Sequence, residues 1–268
     1  MLGSLGAKIG EGATAEVHAW APGRVIKLFR SGVPHRISMH EARMTRAVFL
    51  SGASAPEVFD EVTINGRSGL VIARLDGPTL LQVTKSREVS HAEAGAILAG
   101  VLHSVHGTPP PADMPFLRDH IVSGLQRARR ILSDHVIAGI LALIDRLSPG
   151  DGLCHGDPNP GNVIMTADGP KLIDWTGAMR APAALDLASA HVILTELAPS
   201  IADDPKRPPA INAAMQATYA ALDRTSHLAL AALVKPYLPV VRALLLLGGA
   251  VPAHEAKLVQ DLEAEFPA

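Results

Sequence analysis

The sequence predicts an α+β protein with a small β-rich N-terminal lobe and a larger, mostly helical C-terminal lobe. Up to about Leu75 the chain consists of short apolar runs separated by glycines, which is typical of strands and tight turns. After Gly77-Pro78 apolar residues recur at helical spacing over long segments. We therefore expect two lobes, residues 1–76 and residues 77–268.

The strands and one helix of the first lobe follow from local pattern. The expected strands share a β-rich composition bounded by glycine and polar residues: Leu5 to Gly10, Ala15 to Trp20, Arg24 to Phe29, Glu57 to Ile64 and Gly69 to Leu75. The expected helix, Ser38 to Leu50, carries an apolar stripe.

The second lobe is expected to be helical apart from one hairpin. Its predicted helices are Ser90 to His106, Phe116 to Leu132, His135 to Leu147, Leu185 to Leu197, Pro209 to Leu222 and a C-terminal run from Leu228. The stretch Leu228 to Val251 is apolar enough to suggest a membrane helix. Charged residues and prolines interrupt it, so we predict two buried core helices.

The composition excludes several function classes. The 268 residues are 48% hydrophobic, enough for a large core, and the net charge of -2 offers no field to hold nucleic acid. Aromatic residues make up 3% of the chain, too few for a surface on which the bases of single-stranded nucleic acid could stack. Cys154 is the single cysteine, and the stretch Met1 to Lys8 lacks the apolar run of a signal peptide. We therefore expect a cytoplasmic protein that binds no membrane.

One loop carries an acid, an amide and a second acid in the order that kinase active sites use. His155-Gly156-Asp157-Pro158-Asn159-Pro160-Gly161-Asn162 is followed by Leu172-Ile173-Asp174-Trp175. Asp157 can accept a proton from an attacking hydroxyl. Asn162 and Asp174 supply oxygen ligands that suit the Mg²⁺ ions of a bound nucleotide.

A hairpin between these groups gives their spacing a geometric reason. Two β-rich runs flank a predicted turn at Ala167-Asp168-Gly169, and Asp-Gly is a strong hairpin signal. The hairpin returns the chain on itself, so Asn162 and Asp174 can lie close enough to share a metal ion.

A glycine turn precedes a lysine on a strand, and this order is again that of kinases. Gly10 and Gly12 lie between two predicted strands, where a flexible backbone could close over phosphates, although a plain hairpin explains the same pattern. Neither a Rossmann fingerprint nor a Walker P-loop is present. The position of the turn before Lys27 favours the phosphate-binding interpretation.

Lys27 and Glu41 are both expected on apolar faces, where a charge needs a partner. Lys27 shares a strand face with Val25 and Phe29, and Glu41 shares the helix stripe with Met44 and Val48. Each residue alone could be a charged side chain at the margin of the core. An ion pair between them explains both positions and directs Lys27 at the α- and β-phosphates.

Other polar residues near the loop have structural interpretations. We expect His155 to brace the loop rather than act as a base. For Asp186 the sequence leaves two roles, an N-cap or a residue that holds the loop around Asp157. We expect His106 to interact with helix-terminal carbonyls and Cys154 to be a buried small residue on the strand that enters the loop.

With these residues placed, the chain resembles the aminoglycoside phosphotransferase family, whose wider kin include choline, homoserine and fructosamine kinases. The matching segments are Gly10 to Val17, Lys27, Glu41, Leu70 to Gly77, His155 to Asn162, Ile173 to Trp175 and Asp186 to Ala188. The resemblance implies a bilobal protein-kinase-like fold with ATP or GTP between the lobes. It also implies adenine contacts at Ala73 to Leu75, Asp157 as catalytic base, and Asn162 and Asp174 as Mg²⁺ ligands.

The expected activity is therefore phosphoryl transfer to a hydroxyl of a small molecule, either an antibiotic or a metabolite. A protein kinase is the nearest alternative, but about a dozen residues separate Asp174 from Asp186, too few for a peptide platform. A pseudokinase that binds nucleotide and acts as an interaction module is a second alternative, and it is expected to have lost one of the residues retained here. After Trp175 only Asp203-Asp204 form an acidic pair, which weakens the case for a polycationic acceptor.

Overall fold

The computed structural model describes residues 5–128, 130–248 and 252–267. An antiparallel sheet forms most of the N-terminal region, and a mostly helical region follows it, as the sequence predicts. The strands of the sheet lie in the order β1-β2-β3-β5-β4, with these bounds: β1 Lys8–Glu11, β2 Ala15–Ala21, β3 Arg24–Phe29, β4 Val58–Ile64 and β5 Arg67–Ala73.

Helix α1, His35–Leu50, packs beside this sheet through its apolar stripe. The stripe buries Met44 and Val48, and Glu41 is buried with them at 5% exposure. This arrangement brings the carboxylate of Glu41 to the side of the sheet that carries Lys27. The predicted lobe boundary at Asp76-Gly77 falls in the segment between β5 and the next helix.

The helices of the C-terminal region surround a continuous hydrophobic core. Their bounds are α2 Leu80–Lys85, α3 His91–His106, α4 Leu117–Ala128, α5 Asp134–Arg146, α6 Ala183–His191, α7 Arg207–Leu222, α8 His227–Val234, α9 Leu238–Leu247 and α10 Pro252–Glu265. Most predicted helices are confirmed to within a few residues. Residue 129 of the predicted helix Phe116 to Leu132 lies outside the described residues, as do residues 1–4 of the N-terminal segment.

Three short strands and one hairpin position the polar loop. Strand β6, Gly152–Cys154, enters the loop and pairs with β9, Met179–Ala181. Strands β7, Val163–Thr166, and β8, Gly169–Leu172, form the predicted hairpin. The register pairs Thr166 with Gly169, so Ala167-Asp168 are the central residues of the turn. The turn therefore lies within the predicted segment Ala167-Asp168-Gly169.

The predicted helix Leu185 to Leu197 is not one regular helix. Helix α6 ends at His191, and a π-helical segment, Val192–Leu197, continues from it. Among the helices and strands that the structure describes, α2 and β9 are absent from the prediction, as are the 3₁₀ turns. Helix α2 is a short helix after Gly77-Pro78, held by a capping box between Thr79 and Gln82. Strand β9 has three residues, too few to show an alternating pattern.

The apolar C-terminal run folds as α8 and α9 with a 3₁₀ turn, Lys235–Tyr237, between them. The prediction that both helices are buried is wrong for α8, whose Leu228 is 80% exposed. Residues 249–251 of the predicted stretch lie outside the described residues. Among the described helices, His227–Leu247 is long and apolar enough to cross a membrane by length and composition alone. A core helix passes the same test, so this is weak evidence of a span.

Candidate active site

The backbone of the loop that carries Asp157 is held by a buried carboxylate. Asp186 of α6 is fully buried, and its two oxygens accept hydrogen bonds from the backbone amides of His155, at 2.7 Å, and Gly156, at 2.8 Å. Burial alone raises the pKa of Asp186, but hydrogen bonding and charge from His106, with further help from His155, outweigh it and lower the pKa. Asp186 therefore remains ionised and fixes the start of the loop.

Of the two roles predicted for Asp186, the N-cap is wrong and the loop-holding role is confirmed. Pro182 occupies the N-cap position of α6, and Asp186 lies one turn inside the helix. His106 approaches Asp186 Oδ2 at 3.1 Å and the Tyr219 hydroxyl at 2.7 Å. Its expected contact with helix-terminal carbonyls is thus replaced by contacts with two buried side chains.

Cys154 is buried on β6, as expected. Its thiol contacts the carbonyl of Pro182 at 3.4 Å, and burial raises its pKa well above the usual range. The side-chain atoms of Cys154, His106 and Asp186 lie within 4.8 Å of one another, a spacing that a metal ion could use. Each group already has a protein partner, so we interpret the cluster as a structural support of the loop.

His155 braces the loop through both ring nitrogens. It is fully buried and packs edge-on against Trp175, with ring centroids 4.7 Å apart. Its Nδ1 accepts a hydrogen bond from the Asp157 amide at 3.2 Å, so Nε2 carries the proton donated to the Ile173 carbonyl at 2.9 Å. With both nitrogens occupied, the ring has the structural role that the sequence predicts.

The carboxylate of Asp157 is fixed by two side-chain amides. Asn162 donates from Nδ2 to Oδ2 at 3.0 Å, and Asn159 donates from Nδ2 to Oδ1 at 3.1 Å. Sequence analysis missed Asn159. The Asn-Pro-Gly run was a usable signal, because the side-chain oxygen Oδ1 of Asn159 accepts from the Gly161 amide and this turn directs the side-chain NH₂ group at Asp157.

Burial raises the pKa of Asp157. The hydrogen bonds from Asn159 and Asn162 oppose this effect, whereas the nearby carboxylate of Asp174 adds to it. An oriented carboxylate with a raised pKa is a stronger base than an ordinary exposed aspartate. The arrangement therefore suits Asp157 for accepting a proton from a hydroxyl group.

Lys27 lies between two carboxylates. Its Nζ is 2.6 Å from Glu41 Oε1 and 3.4 Å from Asp174 Oδ1. Burial alone lowers the pKa of Lys27, but the charges of Asp174 and Glu41 outweigh it and raise the pKa. The predicted ion pair with Glu41 is present, and it keeps the ammonium charged in a buried position.

Asn162 and Asp174 flank the base of the β7–β8 hairpin. The Ile173 amide donates to the Asn162 carbonyl at 2.9 Å, which closes the hairpin beside both residues. Because the NH₂ group of Asn162 is committed to Asp157, its Oδ1 is the atom that a cation can use. Asp174 offers Oδ2, since Oδ1 accepts from the Thr176 hydroxyl at 2.9 Å. This oxygen donor set fits Mg²⁺.

The glycine turn forms a tight hairpin above Lys27. Gly10 pairs with Val17 across β1 and β2, and Val17 pairs with Lys27 across β2 and β3. Gly12 donates its amide to the Ala15 carbonyl at 2.8 Å, which closes the turn. Gly10 is therefore in register with the lysine, and Gly12 lies in the turn beyond β1. Phosphate binding by this turn stays a prediction.

The segment predicted to hold adenine follows directly from β5. The Ala73 amide donates to the Glu57 carbonyl at 2.8 Å, and the Arg74 amide donates to the Gly23 carbonyl at 3.0 Å. Of the backbone groups of Ala73, only the carbonyl is left for a nucleotide. Leu75 lies two residues further along the same segment, and its contact with a base stays a prediction.

Comparison with known proteins places these residues in a family context. The model of the phosphotransferase enzyme family matches residues 7–228. A search of curated proteins gives no match.

Solved structures with the same fold include aminoglycoside phosphotransferases and a choline kinase. An aminoglycoside-3'-phosphotransferase of type VIII is 18% identical, with 88% of this chain and 93% of that chain covered and a TM-score of 0.57. An aminoglycoside phosphotransferase from Streptomyces rimosus is 21% identical, covering 89% and 92%, with a TM-score of 0.53. A choline kinase from Cryptosporidium parvum Iowa II is 14% identical, covering 97% and 87%, with a TM-score of 0.58.

Proposed function

The chain belongs to the phosphotransferase enzyme family, and we propose that it transfers the γ-phosphoryl group of ATP or GTP to a hydroxyl of a small molecule. The observation that carries this proposal is the environment of Asp157. Its carboxylate is fixed by Asn159 and Asn162 and lies near the Lys27–Asp174 pair. A base, a cation and a set of oxygen ligands thus converge in one place.

Nucleotide use is supported by relatives with this fold. One aminoglycoside phosphotransferase structure contains GDP and kanamycin, and another contains ADP. In this chain the ammonium of Lys27 is the group that offsets phosphate charge, held in place by Glu41. Magnesium, when bound by Asn162 and Asp174, would neutralise further charge on the phosphates.

Asp157 serves as the base in this proposal. It orients the acceptor hydroxyl and takes its proton while the oxygen forms a bond to the γ-phosphorus. The bond from that phosphorus to the bridging oxygen of the nucleotide breaks, and the nucleoside diphosphate leaves with the electron pair. Positioning and electrostatics supply most of the acceleration in such reactions.

The charge distribution favours an acceptor with few positive charges. After Trp175 the acidic pair Asp203-Asp204 is the cluster that a polycation would use. Asp203 is paired with Arg207 and lies 3.7 Å from Lys85, and Asp204 accepts from the Lys206 amide at 3.0 Å. The charge of Asp203 is therefore neutralised within the chain, which leaves Asp204 as the one carboxylate of this pair without an ion pair among the described residues. An amino alcohol, a sugar or a weakly cationic antibiotic suits the surface better.

We also propose that the enzyme acts in the cytoplasm, where nucleotides are available and a free thiol such as Cys154 stays reduced. The test is a screen with radiolabelled ATP and GTP against aminoglycosides, choline, other amino alcohols and sugars. We expect a labelled product with at least one acceptor, and a rate lower by about 10²–10⁴ with Asp157→Asn. Labelled product at the same rate with Asp157→Asn would sink the assignment.

A further inference from the structure

We propose that Thr176 is a positioning residue that determines which oxygen of Asp174 faces the nucleotide's cation, and that His40 ties this residue to helix α1. The inference rests on the proposed function. It assigns roles to Thr176 and His40, which lie outside the loop and the lysine pair described above.

The side chain of Thr176 contacts one oxygen of Asp174. Its hydroxyl donates to Asp174 Oδ1 at 2.9 Å, and Lys27 Nζ lies 3.4 Å from the same oxygen. Two donors therefore occupy Oδ1. The Asp174 side chain is 41% exposed, and the contacts of Thr176 and Lys27 are both to Oδ1 and not to Oδ2. A carboxylate held at one oxygen presents the other in a fixed direction, which a small octahedral cation requires.

The backbone at Asp174 has an unusual conformation. Its φ of 66° lies in the left-handed region, and a 3₁₀ turn, Trp175–Gly177, follows at once. This turn folds Thr176 back over the carboxylate two residues before it. A non-glycine residue in this conformation is strained and needs support from its surroundings. The Thr176 hydroxyl supplies part of that support.

A hydrogen bond from His40 links Thr176 to helix α1. Nε2 of His40 donates to the Thr176 carbonyl at 3.1 Å. His40 and Glu41 are adjacent on the helix whose carboxylate holds Lys27. Thr176 therefore touches both the metal-facing acid and the helix that orients the lysine.

These contacts give Thr176 a role that its methyl group and size do not explain. Valine has the same shape without the hydroxyl, and serine has the hydroxyl without the methyl group. At position 40, glutamine can carry a donor nitrogen to nearly the same place as Nε2, whereas leucine cannot. The two pairs of variants separate hydrogen bonding from packing.

The experiment is calorimetric titration of ADP into each full-length variant, with Mg²⁺ and with EDTA. We expect Thr176→Val to weaken Mg-ADP binding about tenfold, the loss typical of one hydrogen bond to a charged group. Thr176→Ser should bind Mg-ADP within about threefold of the wild type, less than the loss of one such bond. Binding in EDTA should be the same for all three proteins. Thermal denaturation verifies that each is folded.

The His40 pair keeps the inference testable if Thr176→Val fails to fold. We expect His40→Leu to weaken Mg-ADP binding in the same direction, and His40→Gln to restore most of it. Unchanged Mg-ADP binding by Thr176→Val would overturn the inference, as would an equal loss in Thr176→Ser or an equal loss in EDTA. Wild-type protein that binds no Mg-ADP would overturn the proposed function together with this inference, whereas a failure confined to the variants leaves the proposed function standing.

Discussion

The ammonium of Lys27 lies 2.6 Å from Glu41 Oε1, and the two side chains are only 14% and 6% exposed. Two buried charges at this distance depend on each other. Removing one leaves the other without compensation in a medium that solvates it poorly. This mutual dependence allows the structural role of the pair to be separated from its role toward a nucleotide.

We predict that Lys27→Met lowers both stability and turnover. Unpaired Glu41 should cost about 3–5 kcal/mol of unfolding free energy. The double variant with Glu41→Gln should recover most of that stability, because the uncompensated charge of Glu41 is removed as well. It should not recover turnover, because the cation is still missing. Urea denaturation and phosphoryl-transfer rates measure the two effects, and recovery of turnover in the double variant would refute a phosphate-directed role for Lys27.

Asn159 should affect the pH dependence of catalysis. Its hydrogen bond favours the ionised form of Asp157 and so holds down a pKa that burial raises above the ordinary value of 3.8. Asn159→Ala removes this bond, and the pKa of Asp157 should rise further. The base is active when ionised, so the acid limb of the kcat/KM profile should move to higher pH.

The matched variant for this test is Asn159→Asp. It keeps an acceptor for the Gly161 amide but places a second carboxylate beside Asp157. A second negative charge nearby raises the pKa of a carboxyl group. The acid limb of the kcat/KM profile should therefore move to higher pH by at least as much as in Asn159→Ala. Profiles that coincide with the wild type for both variants would show that Asn159 does not act on the base.

Asp186 gives a prediction about stability. Asp186→Ala leaves the buried amides of His155 and Gly156 without an acceptor, which should cost about 3–5 kcal/mol. Asp119→Ala, at an exposed first-turn aspartate of α4, should cost no more than about 1 kcal/mol. Chemical denaturation of the two variants at neutral pH makes the comparison.

The pH dependence of this effect has a definite sign. The folded-state pKa of Asp186 lies below its ordinary value of 3.8, so its stabilising contribution is present above 3.8 and is lost as the pH falls through the lowered pKa. The stability difference between wild type and Asp186→Ala should therefore shrink in acid. A difference that grows as the pH falls would contradict the assignment.

Gly156 provides a test of loop geometry. Its φ is 86°, and an added Cβ would lie 2.4 Å from the Gly177 carbonyl oxygen. Gly156→Ala should therefore combine backbone strain with a steric clash, at a cost of about 2–4 kcal/mol. Gly23 has a similar φ of 69° with open space around it, so Gly23→Ala should cost only about 1 kcal/mol. An equal loss of stability in Gly156→Ala and Gly23→Ala would show that the contact with the Gly177 carbonyl is relieved without cost.

The sequence predicts the architecture because local patterns determine most of it. The alternation of side chains between strand faces and the spacing of glycines identify the strands around Lys27. The apolar stripe of α1 identifies the helix face that carries Glu41. Local pattern cannot show three-residue strands such as β9. It also cannot show that α6 begins at Ala183, which puts Asp186 inside the helix and makes the N-cap prediction wrong.

The residues that sequence analysis missed act through turns rather than through helix or strand faces. Asn159 reaches Asp157 because its side-chain oxygen Oδ1 accepts from the Gly161 amide and closes a turn. Thr176 reaches Asp174 because a 3₁₀ turn follows a left-handed residue. The contact between His40 and the Thr176 carbonyl joins residues far apart in the chain. Such contacts depend on how α1 docks, which no single-sequence pattern encodes.

The central claim is that Asp157 is the base of a phosphoryl transfer whose nucleotide is held by other groups. The direct measurement is the rate of transfer from labelled ATP by wild type and Asp157→Asn, with Mg-ATP affinity determined for both by calorimetry. We predict that the rate falls by about 10²–10⁴ while the affinity changes by less than about threefold. A rate equal to that of the wild type, or a loss of affinity that accounts for the whole decrease, would contradict the claim.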